Sequence, residues 1–245
     1  GIPSKKADEL IAITRLLTRH KRDFYYRSIC NIFMCPNPVL KRKAISVKLA
    51  DRMHNILSIE CFNESERIYQ CFKNLFILNN TKKYLLENRI PPSEKKQIEK
   101  LFKRCGKATY EAFPTICHLS HQKGMGDVKS MLQLAFKKFA LERSGTQKVT
   151  GLDRKQMHPI RLFSGIIHKY DYRLHHQWKK FDTVKKNECA YAKNFFLDFK
   201  YNSAKIQAII DYKDAYALKE VVAYLLYIPG YVINGFEYSN MFRDY

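Results

Sequence analysis

Residues 41–60 read KRKAISVKLADRMHNILSIE, and the reading of this stretch decides the rest of the chain. At about 100° per residue a helix sorts it into two faces. Asp51, His54, Asn55 and Ser58 stand at i, i+3, i+4 and i+7 and share one stripe, with Lys48 at its edge. Ile45, Leu49, Met53 and Ile56 fall on the opposite side and supply an apolar face for burial. Such a helix can present a carboxylate, an imidazole, an amide and a hydroxyl to a ligand from a fixed core. A solvated polar face has the same pattern, so periodicity alone does not choose between the two.

Working outward, the chain reads as helix after helix. Ser4 suits an N-cap, and Leu10, Ile13 and Leu17 recur at helical spacing to about Thr18. Arg22 to Met34 forms a second helix, broken by Cys35-Pro36-Asn37-Pro38, with Pro38 placed to start the opening stretch. Asn63 to Asn79 carries Ile68, Cys71, Phe72, Leu75 and Phe76. Asn79-Asn80 is expected to end that helix, leaving Thr81 to Asn88 as a short separate one. Ile90-Pro91-Pro92 is a break, and Ser93 starts a helix in which Gly106 either interrupts or is tolerated. Tyr110 to His121 continues it, with Pro114 able to kink it. Asp127 caps Val128 to Glu142. Arg143 to Met157 is polar and holds Ser144-Gly145 and Thr150-Gly151, a loop signature. Beyond it come His158 to Tyr172, a helix to Phe181, and the runs Lys186 to Phe199 and Ala204 to Tyr227. Pro229-Gly230 ends the last run, and an aromatic tail, Tyr231 to Tyr245, is expected to pack back on the body. No period-2 run stands out. The expected fold is all-α, with one unit over 1–142 and a helical extension over 153–245 packed on it.

The totals bound the function. With 46% apolar residues, 16 Tyr and 16 Phe, the chain can bury a core and is not a disordered polymer. No apolar run reaches the ~18 residues of a membrane span. No signal-peptide pattern opens the chain, and a first residue Gly1 reads as a piece of a longer protein. Seven cysteines without a C-x-x-C pair read as free thiols in a reducing compartment, which points to the cytoplasm, although export without a signal peptide leaves the same trace. Forty-four Lys+Arg against 23 Asp+Glu give a formal charge of +21, a field that draws phosphorylated small molecules, nucleic acid or an acidic protein. A lysine-rich compositional bias supplies part of that surplus.

The string Val47-Lys48-Leu49-Ala50-Asp51-Arg52-Met53-His54-Asn55 resembles a signature of the HD phosphohydrolase superfamily, closest to the hydrolase domains of RelA/SpoT-type alarmone enzymes. Leu17-Thr18-Arg19, Tyr25-Tyr26 and Asn37-Pro38 look like the lead-in found in related proteins, and Gly124 to Lys129 with Leu134-Ala135-Phe136 is similar to the helices that follow. The likeness covers roughly residues 10 to 140 and is specific at 47 to 55. It implies an HD-like helical bundle with additional C-terminal helices. It also implies a metal-dependent hydrolase of a phosphoester or pyrophosphate in a nucleotide, of the guanosine tetraphosphate kind. By the same resemblance Asp51 is a ligand of a divalent metal, usually manganese, and Asn55 and Ser58 touch the nucleotide. Serine replaces the family's usual threonine at 58. A carboxylate suits such an ion, and Lys48 with its neighbours can steady phosphate charge. Of the basic runs, Lys41-Arg42-Lys43 is the one expected to meet a phosphorylated ligand, because it lies on the same helix.

The chain departs from the family upstream. The other family ligands are a histidine and an adjacent His-Asp pair before this motif; here only His20 precedes it, and no His-Asp dipeptide exists. Met157-His158-Pro159-Ile160 faintly resembles the stretch around the family's first histidine ligand, so a permuted domain would recruit His158 to the metal. The alternative is a non-catalytic descendant of the fold whose basic surface binds an acidic protein, a nucleotide or nucleic acid.

The remaining signals are weaker. His118-x-x-His121 lacks the acidic neighbour of a metalloprotease helix, and Gly124-x-Gly126 lacks the Lys-Ser/Thr ending of a phosphate loop. His175-His176 beside Trp178 can stack on a base, but an amphipathic helix explains them equally.

Overall fold

Helix α1 (Ser4–Leu17) opens the chain in a computed structural model that describes residues 4–19, 25–122, 213–233 and 236–240. Helix α2 (Tyr25–Met34) ends where Cys35 and Pro36 turn the chain. The Asn37 side chain then accepts hydrogen bonds from the N–H groups of Val39 and Leu40, at 3.0 and 3.1 Å, and Pro38 takes the first position of α3 (Pro38–Leu57). An Asx cap followed by proline satisfies orphan donors and presets φ, so the start of α3 is fixed locally. A 3₁₀ turn, Ile59–Cys61, leads to Asn63, which caps α4 (Glu64–Glu87) by accepting from the Glu66 N–H at 3.0 Å. Helix α5 (Pro92–Gln122) spans 31 residues, and α6 (Lys213–Tyr227) follows much later in sequence. These are the six α-helices among the described residues, which contain no strand. The fold is an all-α bundle.

Helix α5 is its axis, packing most extensively on α3, α4 and α6. The apolar face expected for α3 is the buried one: Ile45 and Leu49 are sealed, Ile56 is nearly so, and Met53 packs against the core from its edge. Tyr26, Phe33, Phe72, Phe76, Phe113 and Phe236 are the large fully buried rings at the centre.

One expected break is absent. Helix α4 runs straight through Asn79-Asn80, with no separate helix at 81–88. Asparagine disfavours helix interiors because its amide competes for nearby backbone groups. Here both amides reach the C-terminal segment, although Asn80 Nδ2 also donates to the Phe76 carbonyl of its own helix at 2.8 Å. Asn79 Nδ2 donates to the carbonyls of Ile233 and Phe236, its Oδ1 accepts from the Ile233 N–H, and Asn80 Oδ1 accepts from the Tyr238 N–H. Helix α5 continues through Pro114 and through Gly106, where the sequence left interruption and tolerance both open. At Gly106 the reason is close approach, since a Cβ there would overlap Leu226 of α6.

After α6 the chain turns at Pro229–Gly230, where Gly230 takes φ +73°. Of the expected aromatic tail, residues 231–233 and 236–240 are described and return to the body, Ile233 and Phe236 buried and Tyr238 stacked on Phe33 of α2 with centroids 5.6 Å apart. The expected helices between Val128 and Phe199, the 143–157 boundary between the two expected units, and His158, His175 and His176 all lie outside the described residues. None of the described helices is long and apolar enough to cross a membrane.

Candidate functional site

Part of the α3 stripe, Asp51 and Asn55 with Lys48 at its edge, faces a cleft, and His54 and Ser58 do not line it. Helices α2, α3 and α4, the end of α1 and Phe62 enclose an open cavity of about 270 Å³. Three expected residues meet there: Lys48, Asp51 and Asn55. From α2 come Tyr25, Ser28, Ile29 and Ile32, from α4 Gln70 and Lys73, and from the end of α1 Leu17 with Arg19 beyond it.

Asp51 is engaged by its own helix. Lys48 Nζ lies 2.9 Å from Oδ2, Arg52 Nε 3.7 Å from the same oxygen, and Asn55 Nδ2 donates to Oδ1 at 3.3 Å. The i, i+3 and i, i+4 spacings that placed these residues on one stripe are the spacings that let them meet.

Arg52 anchors the cleft from below. It is buried, its Nη1 donates to Gln70 Oε1 at 2.8 Å, and its Cζ sits 5.8 Å from the centre of the Tyr25 ring. Lys73 Nζ lies 4.8 Å from the same ring and 4.0 Å from that of Tyr69, and Lys48 Nζ lies 5.7 Å from Tyr25. One aromatic ring thus gathers three cations around it, each within reach of its quadrupole. With Arg19, four cationic side chains surround a single carboxylate among the described residues that line the cleft. A surplus of three positive charges in one small hollow would attract an anion.

Behind Arg52 lies a buried polar chain. Asn74 Nδ2 donates to the Arg52 carbonyl at 3.4 Å and to Thr109 Oγ1 at 3.0 Å, and Thr109 Oγ1 donates to the Cys105 carbonyl at 2.7 Å. Burial pushes the Cys105 thiol up to about 12, against the opposing pull of the nearby Arg52 charge and the Thr109 hydrogen bond. That thiol is neutral at physiological pH and takes no part as a nucleophile.

Other expected residues fall elsewhere. Ser58 is the residue just past α3, its Oγ donating to the His54 carbonyl at 3.0 Å, and it does not line the cleft. The Lys41-Arg42-Lys43 run also lies away from it. Arg42 pairs with Glu94 of α5, Lys43 with Glu9 of α1, and Lys41 Nζ lies 5.9 Å from the Tyr84 ring of α4. These cations join helices, and none of them lines the cleft. Near Arg42 the Tyr84 hydroxyl is raised from its ordinary value by burial, which the Arg42 guanidinium opposes.

Arg19, Arg52, Gln70 and Lys73 are the cleft residues that the sequence reading missed. Arg52 carried a usable signal: it stands seven residues after Ile45, three after Leu49 and four before Ile56, in the middle of the buried stripe. An arginine there must be buried with partners. Lys73 gave none, because its value comes from the tertiary approach of α4 to α2.

A divalent metal does not fit the described donors. No group of three or more His, Cys, Asp or Glu side chains among the described residues could hold one. The one carboxylate in the cleft is shared by Lys48 and Arg52. His158 lies outside the described residues. Comparison of the chain with models of protein families, with curated proteins and with solved structures returned no match.

Proposed function

We propose that the chain is a non-catalytic, HD-like helical domain that binds a phosphorylated nucleotide in the α2–α3–α4 cleft. The observation that carries this reading is the charge arrangement: Lys48, Arg52, Lys73 and Arg19 face a hollow whose single described carboxylate is already paired. Arg52 is held by Gln70 and Tyr25 before any ligand arrives, so little ordering is required when a phosphate binds. Leu17, Ile29, Ile32 and Phe62 give the same cleft an apolar wall suited to a nucleobase. Five free cysteines among the described residues accord with a cytoplasmic setting.

Calorimetric titration of the full chain with guanosine tetraphosphate, GTP and short single-stranded DNA tests the proposal. Binding of a nucleotide without added metal, weakened by Lys73→Ala and by salt, is the expected result. Tighter binding of DNA than of any mononucleotide would move the assignment to the alternative of a basic nucleic-acid surface.

A second reading rests on Asp51 and Asn55 facing one cleft from adjacent turns. It is an HD-type hydrolase of a nucleotide phosphoester or pyrophosphate, with manganese on Asp51 and His158 and further donors from outside the described residues. Lys48 would have to release Asp51 to the metal. Manganese-dependent phosphate release, lost in Asp51→Asn, would establish this reading in place of the first.

A further inference from the structure

Helix α5 carries a ridge of positive charge on the face it turns to solvent. Its buried side is set by Ile98, Phe102, Cys105, Thr109 and Phe113, which recur at helical spacing. Lys96, Lys100, Lys103 and Lys107 stand at i, i+4, i+7 and i+11 on the opposite side, and all four are exposed. At 1.5 Å per residue they span about 16 Å along the helix axis. Exposed Arg104 flanks the row, and Lys82 of α4 stands beside it. Burial holds the Lys82 ammonium below its ordinary value, with Glu99 opposing the fall and the Lys103 charge adding to it.

The row lacks the carboxylates that serve cations elsewhere in the bundle. Between residues 95 and 107 six basic residues stand against one acidic residue, Glu99. Among the described residues none of the four lysines has an ion-pair partner, whereas Arg42, Lys43 and Lys48 each do. Like charges three and four residues apart repel each other and weaken a helix. A compositional bias towards lysine does not by itself align it on one face of one helix and leave that face without partners.

We propose that the α5 ridge is a docking surface for the phosphate backbone of double-helical nucleic acid. The partner follows from what the ridge offers and what it lacks. It offers charge alone, since no large apolar side chain of α5 is exposed among the described residues. A helix that settles on a bilayer buries an apolar face in it, and a protein partner meets an apolar or aromatic centre. Unstacked bases of a single strand pack on aromatic side chains. A duplex keeps its bases stacked inside and presents a phosphate every 3.4 Å or so along each strand, so roughly five fall within the length of the ridge. Lysine meets phosphate as a point charge, and such contacts position the duplex without reading its sequence. No residue of α5 lines the α2–α3–α4 cleft, so the ridge is a separate site and the inference is independent of the cleft's ligand.

Titration of a fluorescently labelled duplex with the full chain over a range of salt concentrations tests it. Affinity is expected to be insensitive to base sequence and to fall with salt at a logarithmic slope of about −3 to −4, the signature of four neutralised phosphates. Lys100→Gln with Lys103→Gln should weaken binding about tenfold at low salt and reduce the slope by roughly 2. These side chains are exposed, so both variant and parent should share one helical circular dichroism spectrum. Lys6→Gln with Arg15→Gln removes the same charge from exposed positions of α1 and should change neither quantity. An equal loss in the two double variants would show an effect of net charge and overturn the ridge as the site. Absence of duplex binding by the parent at low salt, tighter binding of the matching single strand, or preference for vesicles of anionic lipid overturns the proposal outright.

Discussion

Lys48 Nζ and Asp51 Oδ2 lie 2.9 Å apart, three residues from each other on the cleft face of α3. The pair is partly exposed, so its own contribution to stability is small. Its effect on a ligand is larger, because the carboxylate repels a phosphate while holding one of the cations that would meet it. Asp51→Asn is therefore expected to raise affinity for pyrophosphate or a nucleotide by about three- to tenfold, the equivalent of roughly 1 kcal/mol. Titration of parent and variant at equal ionic strength measures the change. A loss of affinity would show that Asp51 serves the ligand directly.

Lys73 approaches Tyr25 and Tyr69 from α4 and is the cleft cation contributed by that helix. Lys73→Ala should weaken anion binding about tenfold, as expected for one charge-assisted contact. The deficit should shrink as salt is raised from about 0.05 to 0.5 M, where screening shortens the reach of the charge. Equal binding by parent and variant at low salt would remove Lys73 from the site.

The Cys105 thiol carries a pH dependence whose sign is fixed by its burial. Its folded value of about 12 stands above the ordinary value of 9.0. Below pH 9 both folded and unfolded chains hold the proton, and the stabilisation is complete. Between about 9 and 12 the unfolded chain loses it first, so stability falls by up to about 1.4 kcal/mol per pH unit. Urea unfolding of the parent and of Cys105→Ala across this range should give a shallower fall in the variant. Exposed Cys61 should react with a thiol reagent long before buried Cys30, Cys71 and Cys105 do.

At Gly106 a methyl group would overlap Leu226 Cδ2 and crowd its Cγ at 3.0 Å. Alanine normally improves a helix by up to about 1 kcal/mol over glycine. Here overpacking at the α5–α6 contact costs more, and Gly106→Ala should destabilise the chain by about 1–2 kcal/mol in denaturant unfolding. Pairing it with Leu226→Ala removes the clash, and the destabilisation attributable to residue 106 should then vanish.

Local chemistry made most of the helical frame readable. The Asn37-Pro38 start, the two faces of α3 and the Pro229-Gly230 stop each rest on interactions within a few residues, which a single sequence displays. Asn79-Asn80 misled the reading for the opposite reason. The partners they hold in the C-terminal segment lie more than 150 positions away, so a local rule saw helix breakers where the fold uses two clamps. The cleft divides in the same way. Lys48, Asp51 and Asn55 share one helix and were legible by spacing, whereas Arg19 and Lys73 joined them only through packing between helices.

The asparagine clamps also set an order of events during synthesis. Helices α1 to α5 are complete by residue 122, yet the polar centre of α4 stays without these partners until residues 233–238 have been made. Until then water can serve the donors and acceptors that Ile233, Phe236 and Tyr238 later satisfy. Closing contacts this distant in sequence is slow. The polar pairing of α4 with this segment is thus a late event in synthesis by its place in the sequence, whatever order the other helices follow.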